Sequence, residues 1–166
     1  MSLLMRTILV LLGAMLVASC GFQLRGTASL PFDTLYIQAS PYSAFATQLK
    51  RVVTTGSRTQ VVDVPADAQV LLHIINETRE KQVLSLSGGG RVREFLLRYR
   101  ISYRLTDSKS ASEYIAPSEI VLHRDFSFND NEALAKEAEE ALLYRDMQTD
   151  AVQQLVRRLQ LTKLRS

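Results

Sequence analysis

Apolar and polar positions along this chain change period several times, and each change marks an element. In Asp33–Gln38 (DTLYIQ), Leu35 and Ile37 alternate with polar neighbours, the two-residue period of a short strand. Phe45, Leu49, Val52 and Val53 then fall at i, i+4, i+7 and i+8, one face of a helix ending near Gly56. Upstream, Ser40-Pro41 reads as an N-cap followed by Pro at the first helical position. Thr59–Val64 (TQVVDV) returns to a strand pattern and stops at Pro65. A strand–helix–strand unit this short predicts a parallel pair joined by a right-handed crossover.

The pattern then changes. Gln69–Ile75 (QVLLHII) predicts a buried strand, followed by polar residues through Gln82, and SLSGGG (Ser85–Gly90) reads as a flexible loop. Arg91–Asp107 and Glu119–Phe128 predict further strands, which makes the second half of the sheet antiparallel. Within Arg91–Leu105, one parity reads Phe95, Leu97, Tyr99, Ile101, Tyr103, Leu105; the other reads Glu94, Leu96, Arg98, Arg100, Ser102, Arg104. Side chains alternate across a strand, so one face is apolar and the other carries a row of arginines. Two readings of that row stand: a solvated sheet face whose charges resist edge aggregation, or a surface for phosphate or carboxylate groups. Arg91 and Arg93 differ from it, because they adjoin the glycine loop, where long cationic side chains reach a ligand freely.

The C-terminal segment predicts one long helix. Asn129-x-x-Glu132 resembles a capping box, and Leu134, Ala138, Ala141, Val152, Leu155, Val156 and Leu159 mark its packing stripe. At 100° per residue Arg145 and Gln148 fall near that stripe, while Leu143 and Met147 lie away from it. A bend in the helix or a second contact face would account for the mismatch. Glu137, Glu139 and Glu140 form a charge run near the helix start, where acidic residues favour the dipole and face solvent.

The N-terminus carries a different signal. Arg6 precedes eleven uncharged residues, Thr7–Val17, and then Ala18-Ser19 and Cys20, the one cysteine in the chain. Basic, apolar, then small is the order of a secretory signal peptide, and the apolar run is shorter than the roughly 20 residues that span a membrane. Val17-Ala18-Ser19-Cys20 resembles the bacterial lipobox, in which Cys20 would receive lipid on its thiol and become the new N-terminus. Lipoproteins of that type carry a diacylglycerol and an N-linked acyl chain, a lasting membrane anchor. Gly21, where Asp would hold such a protein at the inner membrane, implies transfer to the outer membrane. The expected organisation is therefore a signal peptide at 1–19 and one periplasmic domain at 20–166, lipid-anchored at Cys20.

Removal of 1–19 leaves 147 of the 166 residues, enough for one domain with a core. Only Arg6 is lost among the charged residues, so 19 Lys and Arg face 17 Asp and Glu. A surplus of +2 is too small to argue for nucleic acid. Catalytic patterns are wanting. His73 and His123 lie far apart on predicted strands without ligands at metal spacing. GGGR at Gly88–Arg91 lacks the Lys-Ser/Thr of a phosphate-binding loop, and no Ser-His-Asp set follows from spacing. No cofactor is expected beyond the covalent lipid on Cys20, and no enzyme.

Taken in order, CGFQLRG (Cys20–Gly26), the strand–helix–strand unit, GRVREFLLRYRISYRL after the glycine loop, and NEALAKEAEEALLYRDMQTDAVQQLVRRL (Asn131–Leu159) resemble the lipopolysaccharide-assembly lipoprotein family LptE. The resemblance covers nearly all of the mature chain. It implies an α+β fold, two helices packed on a four-stranded mixed β-sheet in a single domain. It also implies a partner, the outer-membrane β-barrel LptD, in whose lumen the family's lipoprotein sits as plug and assembly partner while lipopolysaccharide is delivered to the outer leaflet. Lipopolysaccharide itself is an implied ligand. Lys136 matches the lysine of the family's LAK segment, and Arg91 and Arg93 follow the loop presented toward the barrel, which makes Arg91, Arg93 and Lys136 the candidate lipopolysaccharide contacts. Two other classes fit the sequence less fully: a general periplasmic scaffold or binding lipoprotein, and a lipid-modifying enzyme, which would need a nucleophile or metal.

Overall fold

In the computed structural model, described over residues 29–164, two helices pack on a five-stranded mixed sheet. Cys20 and the expected signal peptide lie outside the described residues. Strand β1 (Thr34–Gln38), helix α1 (Ala44–Gly56) and strand β2 (Gln60–Val62) form the first unit. Strands β3 (Val70–Leu86), β4 (Val92–Asp107) and β5 (Glu113–Ser127) follow as a meander, and then helix α2 (Ala133–Gln160). The sheet order is β2-β1-β3-β4-β5, with β1 parallel to both β2 and β3 and the remaining pairs antiparallel. The α+β class and the two helices agree with expectation, but the sheet has five strands rather than four. Four is the count implied by the resemblance; the residue pattern itself marks five strands, among them the short edge β2, which pairs with Thr34–Tyr36 and is followed by a 3-10 turn at Pro65–Asp67.

Helix α1 starts later than Ser40-Pro41 implies. Ser40–Ser43 close a turn (Ser43 N–H to the Ser40 carbonyl, 3.0 Å), and Ser43 is the cap, its Oγ accepting from Ala46 N–H at 3.0 Å. Its buried face is Phe45, Leu49 and Val53, as the spacing predicts.

Strand β3 overruns its predicted end by eleven residues, through the polar run to Leu86. Its hydrogen bonds come from β4, which lies beside it throughout, so local hydrophobicity is not needed to hold it. The register passes from Ile74↔Tyr103 to Asn76↔Ser102, leaving Ile75 as an extra residue. Such a bulge shifts the alternation by one. Before it, Val70, Leu72 and Ile74 share the helix-facing side; after it, Glu77, Arg79 and Lys81 do, opposite Ile101, Tyr99 and Leu97. Strand β5 also starts earlier than predicted, at Glu113, and carries Pro117. It is an edge strand, where a missing N–H is tolerated.

The stripe of α2 needs the largest correction. Its buried residues are Tyr144, Met147, Gln148, Ala151, Val152, Leu155 and Leu159, while Leu134 is 84% exposed and Ala138 and Ala141 face solvent. Met147 is fully buried and Leu143 packs against the core, so neither belongs to a second face. The first turns of α2 lie against the aromatic end of the sheet, and there the side chains turned inward are Lys136 and Glu140. Gln148 enters the stripe because it is bonded, Nε2 to Gln48 Oε1 (2.7 Å) and to the Ala44 carbonyl (3.3 Å). Asn129 caps the single turn Asp130–Glu132, accepting from Asn131 N–H at 3.2 Å, and Glu132 precedes α2 without a side-chain cap bond. The burial sets an expected outcome: Met147→Ala should cost about 2–5 kcal/mol in urea denaturation. Leu134→Ala should stay within about 0.5 kcal/mol. The reverse order would restore the stripe read from the sequence.

Candidate functional site

Strands β3 and β4 end in a tight turn rather than a flexible loop. Ser87 N–H donates to the Arg91 carbonyl (2.7 Å), Gly90 N–H to the Ser87 carbonyl (2.9 Å), and Arg91 N–H to Ser87 Oγ (3.1 Å). Gly90 sits at φ +77°, a left-handed conformation that strains any side chain. Below the turn the register runs Val83↔Phe95, Ser85↔Glu94, Leu86↔Val92, so Leu84 and Arg93 have no opposite number across these two strands. Bulges of this kind twist a strand and re-aim side chains. Val83, Leu84 and Leu86 are each about half exposed there, beside exposed Arg91 and Arg93.

The remaining candidate is brought to the same end by β5. Phe128 N–H donates to the Arg93 carbonyl (2.8 Å), and the neighbouring Ser127 Oγ accepts from Lys136 Nζ at 3.1 Å. The environments differ, however. Arg91 and Arg93 are exposed and have no ion pair among the described residues. Lys136 has a side chain only 14% exposed, paired with Glu139 at 2.8 Å and lying 5.5 Å from the Phe126 ring centroid.

Next to this tip lies a ladder of charges that the sequence pattern hides, because it begins beyond the Ile75 bulge. Glu77 accepts from Ser43 Oγ (2.6 Å) and Tyr99 Oη (2.7 Å). Burial, reinforced by the bond to Glu77, pushes the Tyr99 phenol far above its ordinary pKa, so it stays a donor. Arg79 lies between the Tyr99 and Tyr144 rings (5.7 and 5.5 Å) and donates to Gln148 Oε1 at 3.1 Å. Burial, then Glu140, raises the Tyr144 pKa as well, and its hydroxyl donates to the Glu80 carbonyl at 2.7 Å. Lys81 pairs with Glu140 at 2.6 Å among Phe95, Phe126 and Phe128. The legible signal was parity: continued as a strand with one bulge, this run alternates in phase with β4.

The arginine row lies on the opposite, uncovered face, and Arg98 at its middle is satisfied internally. Arg98 donates to Glu80 (3.2 Å) and His123 Nε2 (3.1 Å), and Arg100 lies 3.9 Å from the same Glu80. Arg100 Nε and the adjacent Thr78 Oγ1 have no partner. His73 bonds Thr106 at 3.1 Å, and burial together with Arg104 lowers its pKa, favouring neutral imidazole. No group of three or more metal-ligand side chains occurs among the described residues, and no described helix is long and apolar enough to cross a membrane.

These features define a class: an α+β domain, two helices on a mixed sheet, that presents charge and apolar surface at a hairpin tip. The chain belongs to the LptE family, described as lipopolysaccharide-assembly, whose profile matches residues 32–159. It is 29% identical over 156 residues to the LPS-assembly lipoprotein LptE of Photorhabdus laumondii, covering 92% of this chain and 84% of that one. It is 31% identical over 156 residues to the LPS-assembly lipoprotein LptE of Yersinia pestis, covering 92% and 74%. Among solved structures, a lipoprotein B from Nitrosomonas europaea superposes with a TM-score of 0.72 at 44% identity, over 82% of this chain and 88% of that one. The rare lipoprotein B of Shewanella oneidensis gives 0.64 at 26% identity, over 76% and 92%.

Proposed function

We propose that this lipopolysaccharide-assembly family member is anchored to the outer membrane through lipid on Cys20. There it plugs the LptD barrel as its assembly partner and itself binds lipopolysaccharide. The observation that carries the ligand half is the tip, where half-exposed Val83, Leu84 and Leu86 adjoin Arg91 and Arg93. A phosphorylated, acylated glycolipid offers both complements at once, charge-assisted bonds for the cations and chains for the apolar residues. The barrel half is supported by the uncovered sheet face. Its Arg98, Arg100, Ser102, Arg104, Glu80 and Glu119 suit the polar interior of a large barrel, whose outward face alone meets lipid. The outward residues of α2, Leu134 (84% exposed) and Leu142 (54% exposed), add apolar contacts of the kind first expected from Leu143 and Met147.

An enclosed domain should bury more than the roughly 1,600 Å² of a standard interface and survive purification. Gentle detergent extraction should therefore recover a stoichiometric barrel partner, and depletion should lower assembled barrel and surface lipopolysaccharide together. Recovery of a soluble periplasmic partner alone would favour a general scaffold lipoprotein instead. Metabolic labelling with a radioactive fatty acid should mark the wild type and not Cys20→Ala; a labelled Ala variant would refute the anchor. For the ligand, Arg91→Glu and Arg93→Glu combined with Lys136→Gln should weaken lipopolysaccharide binding by about tenfold or more, with an unchanged circular dichroism spectrum. Undiminished binding removes these three residues from the site.

A further inference from the structure

The tip holds a second cationic feature, made by residues from two elements around one ring. Lys81 Nζ, from β3, lies 4.2 Å from the Phe95 centroid, 5.6 Å from Phe126 and 5.7 Å from Phe128; Lys136 Nζ, from α2, lies 5.5 Å from Phe126. Each ammonium has its own carboxylate, Glu140 on Lys81 (2.6 Å) and Glu139 on Lys136 (2.8 Å), and these two are adjacent in the helix. Both cations therefore lie within 6 Å of the centre of one ring, Phe126, and both are neutralised from the same turn of α2.

The partners are not equivalent. Aromatic faces attract an ammonium but accept no ordinary hydrogen bond, so the rings position the lysines without saturating their donors. Of three N–H donors apiece, Lys136 uses two, on Ser127 and Glu139, and Lys81 uses one, on Glu140. Glu139 is 48% exposed and Glu140 23%. Lys136 itself is 14% exposed, so Glu139 is the solvent-facing member of its pair and the carboxylate more easily exchanged. A phosphate monoester carries about −1.5 to −2 charge near neutral pH and three strong acceptor oxygens, more than one carboxylate offers.

Building on the proposed lipopolysaccharide-binding role, we propose that Lys81 and Lys136 form a paired-ammonium site for a phosphate-bearing headgroup. Glu139 and Glu140 are its internal counter-anions, displaced as the phosphate enters. The exposed Glu139 leaves first and opens Lys136; Glu140 releases Lys81 to a second phosphate oxygen or a second phosphate. Lys81 is thus a ligand-binding residue in addition to the three considered above. The carboxylates set a threshold that favours anions of higher charge over carboxylates and monoanions. While unliganded, they also keep two lysines neutralised beside an apolar cluster.

The test uses the full-length lipoprotein in detergent and two probes, bisphosphorylated lipid A in micelles and inorganic pyrophosphate. Glu139→Gln with Glu140→Gln removes the counter-anions and should tighten lipid A binding about fivefold to tenfold. Lys81→Gln should lose the greater part of that gain. Asp67→Asn with Glu113→Gln makes the same charge change at the opposite end of the sheet, in the turn before β3 and opposite Thr106, and should leave affinity unaltered. Unchanged affinity in the Glu139/Glu140 variant overturns the proposal, as does equal tightening in the distant control, which would make the effect one of net charge. Tightening for pyrophosphate alone upholds the paired site and assigns it a soluble phosphate rather than a lipid. Failure of the wild type to bind lipid A would refute the lipopolysaccharide-binding reading, and the pyrophosphate arm would then decide the paired site by itself.

Discussion

Everything in this domain is arranged around the inward row of β4. Leu97, Tyr99, Ile101, Tyr103 and Leu105 are all inaccessible to solvent, with β3 on one side, β5 on the other and the helices above. Two of the five are tyrosines, and a buried phenol needs a hydrogen-bond partner. That requirement sets the polar design of the surrounding elements. Tyr99 reaches Glu77, which also receives the cap residue Ser43 of α1; Tyr103 receives Arg158 from α2 at 2.7 Å. Burial of one strand face thus dictates where a charge sits on β3 and on α2, and which residue caps α1.

The Ile75 bulge makes that design possible. Without the extra residue, β3 would continue in its first phase, and Glu77, Arg79 and Lys81 would point to the uncovered face. With it they meet the β4 tyrosines and the α2 stripe. The same bulge explains why β3 was only half legible. Up to Ile74 its alternation is apolar and self-evident; beyond Ile75 the inward residues are charged, and only pairing with β4 keeps the strand in place. β4 was readable throughout because its two faces differ in composition at nearly every position. α1 was readable because its buried residues are all apolar at helical spacing, although its cap lay at Ser43, where a contact with Glu77 beyond the reach of local pattern selects it.

The helix α2 shows the opposite limit. A hydrophobic stripe assumes that leucines face inward and charges outward, and both assumptions fail over its first three turns. Leu134 and Leu142 face out, while Lys136 and Glu140 face in, because the surface they meet is the aromatic end of the sheet rather than an aliphatic core. Phe95 and Phe128 meet edge-on there (5.4 Å, 79°), and Phe95 stacks on Phe126 (6.3 Å). Phe faces carry partial negative charge, so cations are favourable neighbours in a way that leucines would not reveal. Of the candidate contacts, Arg91 and Arg93 follow from their place beside a glycine turn. Lys136 came from family resemblance, and its real surroundings depend on residues 9 to 55 positions away in the chain, Ser127 and Lys81 among them.

The contrast between the two faces of the sheet bears on the proposed barrel and ligand roles. On the uncovered face Arg98 is tied laterally to Glu80 and His123, and Arg100 lies 3.9 Å from the same glutamate, so the middle of the face presents charge while holding part of it in place. At the tip the two arginines are untied and flanked by exposed aliphatic residues on bulged strands. Tied charges suit a surface that must fit a fixed wall, since they lose little side-chain freedom on contact. Untied ones suit a ligand that arrives and departs, because long cationic side chains adapt to where its phosphates lie. On the proposed function, one molecule would hold a permanent partner on its flank and exchange a transient ligand at its end, with the β3–β4–β5 meander linking the two.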